Sequence, residues 1–192
     1  MNGKKKILIG IGAAVAALMI FVMILGGSAI GWRNRLVELE ESVRRSWANV
    51  ENQMQRRMDL VPNLVETVRG YADHESDVLT RVTEARASVA GAGSPQEMID
   101  ANQELTSALS RLMVVVENYP DLKANQNFIA LQDELAGTEN RLAVERRRYN
   151  EAVGKFNGTR RKIPYSFFAA NFPQAAYFEA APEASEVPEV SF

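Results

Sequence analysis

The chain has 192 residues, 46% of them hydrophobic and 24% charged, with 22 Lys and Arg against 24 Asp and Glu. That length holds one domain plus an accessory segment, and the near-neutral balance excludes the strongly basic profile of a general nucleic-acid binder, as the apolar content excludes a disordered chain. The absence of cysteine and a single histidine, His74, exclude disulfides, thiolate chemistry and any constellation that needs two imidazoles.

The N-terminus reads as a membrane anchor. Lys4, Lys5 and Lys6 precede a stretch from Ile7 to Ile30 that carries no charge. This run is about 24 residues, roughly 36 Å as a helix, against a hydrocarbon core of about 30 Å. Trp32, Arg33 and Arg35 mark the far interface. The expected layout is a short basic N-terminus at 1–6 and a transmembrane segment at 7–30. A cleavable signal peptide is the rival reading. The run is longer than a signal core, and Gly26-Gly27-Ser28-Ala29 matches a cleavage site only loosely. The three lysines favour an inside N-terminus, placing the large domain outside the cytoplasm, while Arg33, Arg35, Arg44 and Arg45 pull the other way.

The body, residues 31–158, reads as all-α with heptad spacing. Leu36, Val43, Trp47, Val50 and Met54 form one seam. Val61, Leu64, Val68, Tyr71, Glu75, Val78, Val82, Ala85 and Val89 form the next. Gly91-Ala92-Gly93-Ser94-Pro95 breaks the helix and supplies a cap and a first-turn proline. Met98, Asn102, Leu105, Leu109, Leu112, Val116 and Tyr119 follow, up to the interruption at Pro120. The last seam runs through Phe128, Leu131, Leu135, Thr138, Leu142, Glu145, Tyr149, Val153 and Phe156 and ends at Asn157-Gly158. This predicts an up-and-down antiparallel bundle. It has four helices if Asp59 caps a new helix with Pro62 in its first turn, or three if one long helix is kinked at Pro62. The four-helix form is favoured.

Residues 159–192 form an aromatic, acidic tail that four prolines keep from being one helix. Phe167, Phe168, Phe172, Tyr177, Phe178 and Phe192 make it a candidate interface, from its own chain or a neighbour's. The basic stretch Arg141 to Lys162 suits anionic lipid head groups, the acidic tail, or a solvated helix face.

The stretch Arg56-Arg57-Met58-Asp59-Leu60-Val61-Pro62-Asn63-Leu64-Val65-Glu66-Thr67-Val68-Arg69-Gly70-Tyr71 resembles the signature of the LemA family. The likeness continues in Ala72 to Glu75, in Tyr119-Pro120-Asp121-Leu122-Lys123-Ala124-Asn125-Gln126-Asn127-Phe128, and through Gly137-Thr138-Glu139-Asn140-Arg141 to the ending Pro188-Glu189-Val190-Ser191-Phe192. It covers roughly residues 32–192. Where the family pattern has a Tyr-Asn pair after the membrane segment, this chain reads Trp32-Arg33-Asn34. The resemblance implies a bacterial single-pass protein of the cytoplasmic membrane with a helical-bundle domain and no established enzymatic activity. It also implies kinship with a magnetotactic protein associated with magnetosome membrane formation.

The candidate polar residues fall into three groups. Arg56, Arg57, Asp59, Asn63 and Glu66 read as a hydrogen-bonded helix junction or a partner site. His74 and Glu75, beside Asp73 and Asp77, read as a solvated patch, since neighbours on a helix point apart and no second His or Cys completes a metal site. Asn102, Thr138, Glu145 and Glu75 sit on seams, where polar residues fix register and partner choice; Glu139, Asn140 and Arg141 are candidates for the same internal layer. No nucleophile, oxyanion donor, cofactor motif or catalytic group is recognisable. The leading expectation is a non-enzymatic, membrane-anchored scaffold that self-associates as a homo-oligomer and touches membrane lipids. The others are an adaptor for another membrane protein, such as a protease or stress component, and an enzyme of unknown reaction.

Overall fold

The computed structural model describes residues 2–72 and 74–178, without the side chains of residues 2–11, 13, 14 and 25. The side chains of Lys4, Lys5 and Lys6, and residues Asp73 and Phe192, therefore lie outside the described residues. Every regular element among the described residues is helical: α1 (Asn2–Arg69), α2 (Ser76–Gly91), α3 (Pro95–Val116), the single turn α4 (Pro120–Lys123), α5 (Gln126–Arg160) and a short 3-10 helix (Tyr165–Asn171).

The expected break at Pro62 is not there. α1 runs through Pro62 without interruption, and Asp59 caps nothing; it accepts the Gln55 amide at 2.7 Å from within the same helix. A proline inside a helix removes the bond to the carbonyl four residues back, here that of Met58. Arg86 of α2 fills this gap, its Nε donating to the Met58 oxygen at 2.9 Å. The helix stops instead at Gly70, a poor helix former, and the chain turns at Gly70 and Tyr71. The break resets the phase: Tyr71 is exposed, Glu75 and Val78 are half-buried, and Leu79 takes the inward position.

The break before α3 follows the sequence signal, whereas α5 runs on through Asn157-Gly158 to Arg160, past the end expected there. Ser94 Oγ accepts from the Glu97 amide at 3.3 Å, Glu97 Oε2 accepts from the Gly93 amide at 2.8 Å, and Pro95 opens α3. Asn125 Oδ1 accepts from the amides of Asn127 and Phe128, at 2.9 and 3.2 Å, and so starts α5.

The chain divides into two compact units. One holds Arg44–Val153 and, of the described residues after it, 176–178. Its core joins Val61, Leu64 and Val68 of α1 with Leu79 and Val82 of α2, Leu105 and Leu112 of α3, Leu122 of α4 and Phe128 of α5. The heptad seams thus predicted most of the buried positions, since an apolar stripe must be covered by another helix in water. The other unit holds Met1–Val43 and Gly154–Ala175. It buries Leu36, Phe156 and Phe172, while Leu18, Met19, Phe21 and Met23 of the apolar run stay exposed. That run is long and apolar enough to cross a membrane, and its described side chains from Val15 to Ile24 are exposed.

Candidate functional site

The helical unit carries a buried polar cluster centred on Arg57. Its phase along α1 aims Arg57 into the core, where only 5% of it is exposed. Nη1 donates to Thr106 Oγ1 at 2.9 Å and to Asn102 Oδ1 at 3.3 Å, both on α3. The same nitrogen lies 2.8 Å from Glu139 Oε2 of α5, an ion pair without the alignment of a hydrogen bond. Thr106 is itself fixed by donating to the Asn102 carbonyl at 2.9 Å. Burial pulls the Arg57 pKa below its ordinary value; Glu139 opposes that shift and Arg146 adds to it. Arg146, two turns along α5 from Glu139, is lowered in the same way by burial, against the pull of Glu139. One half-exposed carboxylate thus pairs with Arg57 and acts on Arg146 through its charge, while Arg57, with partners on α3 and α5, holds α1, α3 and α5 in one register.

A second set of bonds closes the end of this unit. Asn125 Nδ2 donates to the Tyr71 hydroxyl at 2.9 Å, and the Tyr119 hydroxyl donates to Glu75 Oε1 at 3.1 Å. Desolvation raises the Tyr119 pKa, and the bond to Glu75 and its charge raise it further. The turn after α1 is therefore tied to the segment that leads into α5.

The tail folds back on α5. Asn157 exchanges two bonds with Ala175 (Nδ2 to the carbonyl at 2.8 Å, Oδ1 from the amide at 3.1 Å). Asn150 does the same with Phe178, at 2.8 Å each way. The Tyr149 hydroxyl donates to the Ala176 carbonyl at 2.9 Å, and its ring meets Trp47 edge-on at 5.3 Å. Arg146 stacks over the Phe178 ring at 4.0 Å. Arg160 donates to the carbonyls of Phe172 and Ala169. The basic stretch meets the described part of the tail through main-chain carbonyls and an aromatic face, and the tail's glutamates (Glu179, Glu183, Glu186 and Glu189) lie outside the described residues.

The predicted site residues separate accordingly. Arg57, Asn102 and Glu139 come together. Thr138 is buried but bonds only the Leu135 carbonyl, at 2.7 Å. Arg56 points away from Arg57 and pairs with Glu134 at 2.6 Å, to which Arg141 also reaches at 3.3 Å. Asn63 and Glu66 line an open depression of about 520 Å³ between α1 and α5, and Glu66 pairs with Arg69 at 2.7 Å. Glu145 pairs with Arg148. Asn140 and His74 are exposed, so neither belongs to the internal layer. Trp32 is half-buried and Arg33 exposed, and Arg35 pairs with Glu38 at 2.9 Å. Of the tail aromatics, Phe172 and Phe178 are buried, Phe168 is half-buried, and Phe167 and Tyr177 are exposed. Sequence reasoning missed Thr106, Arg86, Asn150 and Asn157. Only the heptad phase of Asn150 and Asn157, seven residues apart on α5, offered a signal. Among the described residues, no three His, Asp or Glu side chains converge as metal ligands do.

A helix that carries an exposed apolar run and then core residues of a helical unit fits a membrane-associated protein, one whose regular elements among the described residues are all helical. More narrowly, the chain belongs to the LemA family, whose sequence pattern matches residues 46–192. It is similar to Magnetosome protein MamQ 2 of Paramagnetospirillum magneticum, 27% identical over 177 residues that cover 78% of this chain and 65% of that protein. Magnetosome protein MamQ of Magnetospirillum gryphiswaldense is 24% identical with the same coverage. Protein LemA of Metamycoplasma hominis is 23% identical over 164 residues, covering 84% of this chain and 73% of that one. The chain thus spans about 65% of the length of its magnetosome relatives.

Proposed function

We propose that this protein is a non-enzymatic scaffold, anchored by α1 in the bacterial cytoplasmic membrane, that self-associates and supports or organises that membrane. The observation that carries this reading is α1 itself. The apolar run and the residues that bind α2, α3 and α5 belong to one uninterrupted helix. Anchored copies are concentrated in two dimensions, so weak lateral contacts become effective. The polar cluster suits a structural role as well. Its Arg57 Nη1 is committed to Asn102, Thr106 and Glu139 on the neighbouring helices, which serves register between them. The relatives named as magnetosome proteins lend support, since their names place them in an organised cellular structure, the magnetosome.

The test is the mass of the full-length chain, in detergent and in nanodiscs, beside crosslinking in native membranes. A uniform assembly of several copies supports the scaffold. Single copies in all three preparations sink it. The proposed topology, with the helical unit outside the cytoplasm, predicts that protease added to spheroplasts cleaves within residues 44–178.

A further inference from the structure

We propose that the turn after α5 is a second membrane contact, in which Ile163 and Phe167 enter the interface of an anionic leaflet while Arg161 and Lys162 meet its head groups. Ile163 is 81% exposed and Phe167 77%, both more than Met23 of the apolar run at 69%. Large apolar side chains displayed together on an ordered surface mark an interaction site. The turn is ordered by its own bonds. The Ser166 amide donates to the Lys162 carbonyl at 2.9 Å and the Phe167 amide to the Pro164 carbonyl at 3.2 Å. Arg160 braces the far side through the carbonyls of Ala169 and Phe172. Its guanidinium is thereby engaged within the fold, while Arg161 and Lys162 stay exposed beside the two apolar side chains. In this same unit Phe172 is 4% exposed, so the fold buries one aromatic of the segment and displays another.

The bilayer is the occupant that the position selects. The turn belongs to the compact unit that also contains the apolar run, within Met1–Val43 and Gly154–Ala175. From Ile30 to Val43, where α1 leaves the unit, the helix rises about 20 Å. From Gly154, where α5 enters it, to Arg160 the helix covers about 9 Å of the return. The turn therefore comes next on the way back to the end of the apolar run. Basic residues beside exposed apolar ones are the composition that lies on anionic lipid, the cations against the surface potential and the apolar groups at the acyl boundary.

The inference rests on α1 being inserted, and the experiment separates the two claims. The chain has no cysteine, so single Leu18→Cys, Phe167→Cys and Val114→Cys variants of the full-length protein each carry one environment-sensitive dye. They are placed in nanodiscs of phosphatidylglycerol with phosphatidylcholine, or of phosphatidylcholine alone. Quenching is read with spin-labelled lipid and with aqueous iodide. The label at 18 should respond to the lipid quencher, and the label at 114, on the exposed face of α3, to iodide alone. The label at 167 should respond to the shallow lipid quencher, more strongly in the anionic discs. Replacing Arg161 and Lys162 by Gln should shift it toward iodide, by about fivefold in the contact equilibrium per residue. A label at 167 as open to iodide as the one at 114, with 18 lipid-buried, overturns the second contact alone. A label at 18 open to iodide overturns the anchor, and the inference with it.

Discussion

Arg86 of α2 donates its Nε–H to the Met58 carbonyl at 2.9 Å, and Met58 is the residue whose α-helical partner would be the missing N–H of Pro62. A side chain 28 residues away thus completes the hydrogen bonding of α1 where the proline interrupts it. The contact links sequence to architecture: it makes an uninterrupted α1 depend on α2 being in place. Arg86→Ala should cost about 1–2 kcal/mol, because a part-buried carbonyl is left without a donor. In a Pro62→Ala background the amide at 62 returns and the Arg86→Ala cost should shrink. Urea unfolding of the four corners of this cycle in detergent measures the coupling. Strictly additive costs would mean that Arg86 acts through something other than the proline gap.

Glu139 is the counter-charge for Arg57, and the two differ in exposure: 6% of the Arg57 side chain and 40% of the Glu139 side chain are accessible. Glu139→Ala should therefore strand a buried guanidinium that keeps only its neutral partners, Asn102 and Thr106. The expected cost is about 2 kcal/mol, below the range for a fully buried pair because water reaches the glutamate. Replacing both residues by methionine should recover most of that loss. Thermal melts of the single and double variants give the answer, and a double variant as unstable as Glu139→Ala would contradict it.

The sequence disclosed the helices and their apolar stripes because burial imposes a period, and Leu64, Leu105, Leu142 and Phe156 all point inward as their spacing requires. It misplaced the first break because proline carries a strong local signal against helix, whereas the compensating donor, Arg86, comes from a distant segment. Gly70, where α1 does stop, carries a weaker one. Asn102 stood out as a polar residue on an apolar seam, and Arg57 as part of a polar helix junction. Their joint partner Thr106 did not, because it is reached only when α1 and α3 are docked. Asn150 and Asn157 offered no more than a shared heptad phase for a similar reason: they read the backbone of the tail, and a backbone has no sequence pattern.

Those two asparagines should control the tail. Each gives one carbonyl and one amide of the tail its partner, at residues 175 and 178. Asn157→Ala or Asn150→Ala removes two bonds at once and should cost about 1–3 kcal/mol locally. The loss should appear as faster hydrogen exchange at residues 172–178 and earlier proteolytic cleavage there. Residues 79–112 should be unaffected, because their core lies elsewhere. Unchanged exchange at 172–178 would show that Phe172 and Phe178 hold the tail without the amide bonds.

Asn125 performs two jobs with two atoms, and substitution can separate them. Its Oδ1 caps α5 while its Nδ2 reaches the Tyr71 hydroxyl. Asn125→Asp should keep the cap and lose the donor. Asn125→Ala should lose both, at about 0.5–2 kcal/mol for the cap. Tyr71→Phe should then match Asn125→Asp in stability more nearly than it matches Asn125→Ala. Equal losses in Asn125→Asp and Asn125→Ala would assign the whole effect to Tyr71.

Tyr149 makes the attachment of the tail sensitive to alkaline pH. Its ring is buried against Trp47, its hydroxyl donates to the Ala176 carbonyl, and burial raises its pKa above the ordinary 10.0. The unfolded chain therefore releases this proton at lower pH than the folded one. Stability from the neutral phenol is complete below pH 10 and falls as pH rises beyond it, by at most about 1.4 kcal/mol per pH unit for one group. Tyr149→Phe should cost about 1 kcal/mol at pH 8, where the hydrogen bond is lost, and should flatten the decline above pH 10. Other tyrosines and lysines titrate in the same range, so the measurement is the difference between the two proteins, taken by urea unfolding from pH 8 to 11. Parallel curves would mean that the Tyr149 phenol titrates as freely in the folded protein as in the unfolded chain, contrary to its burial against Trp47.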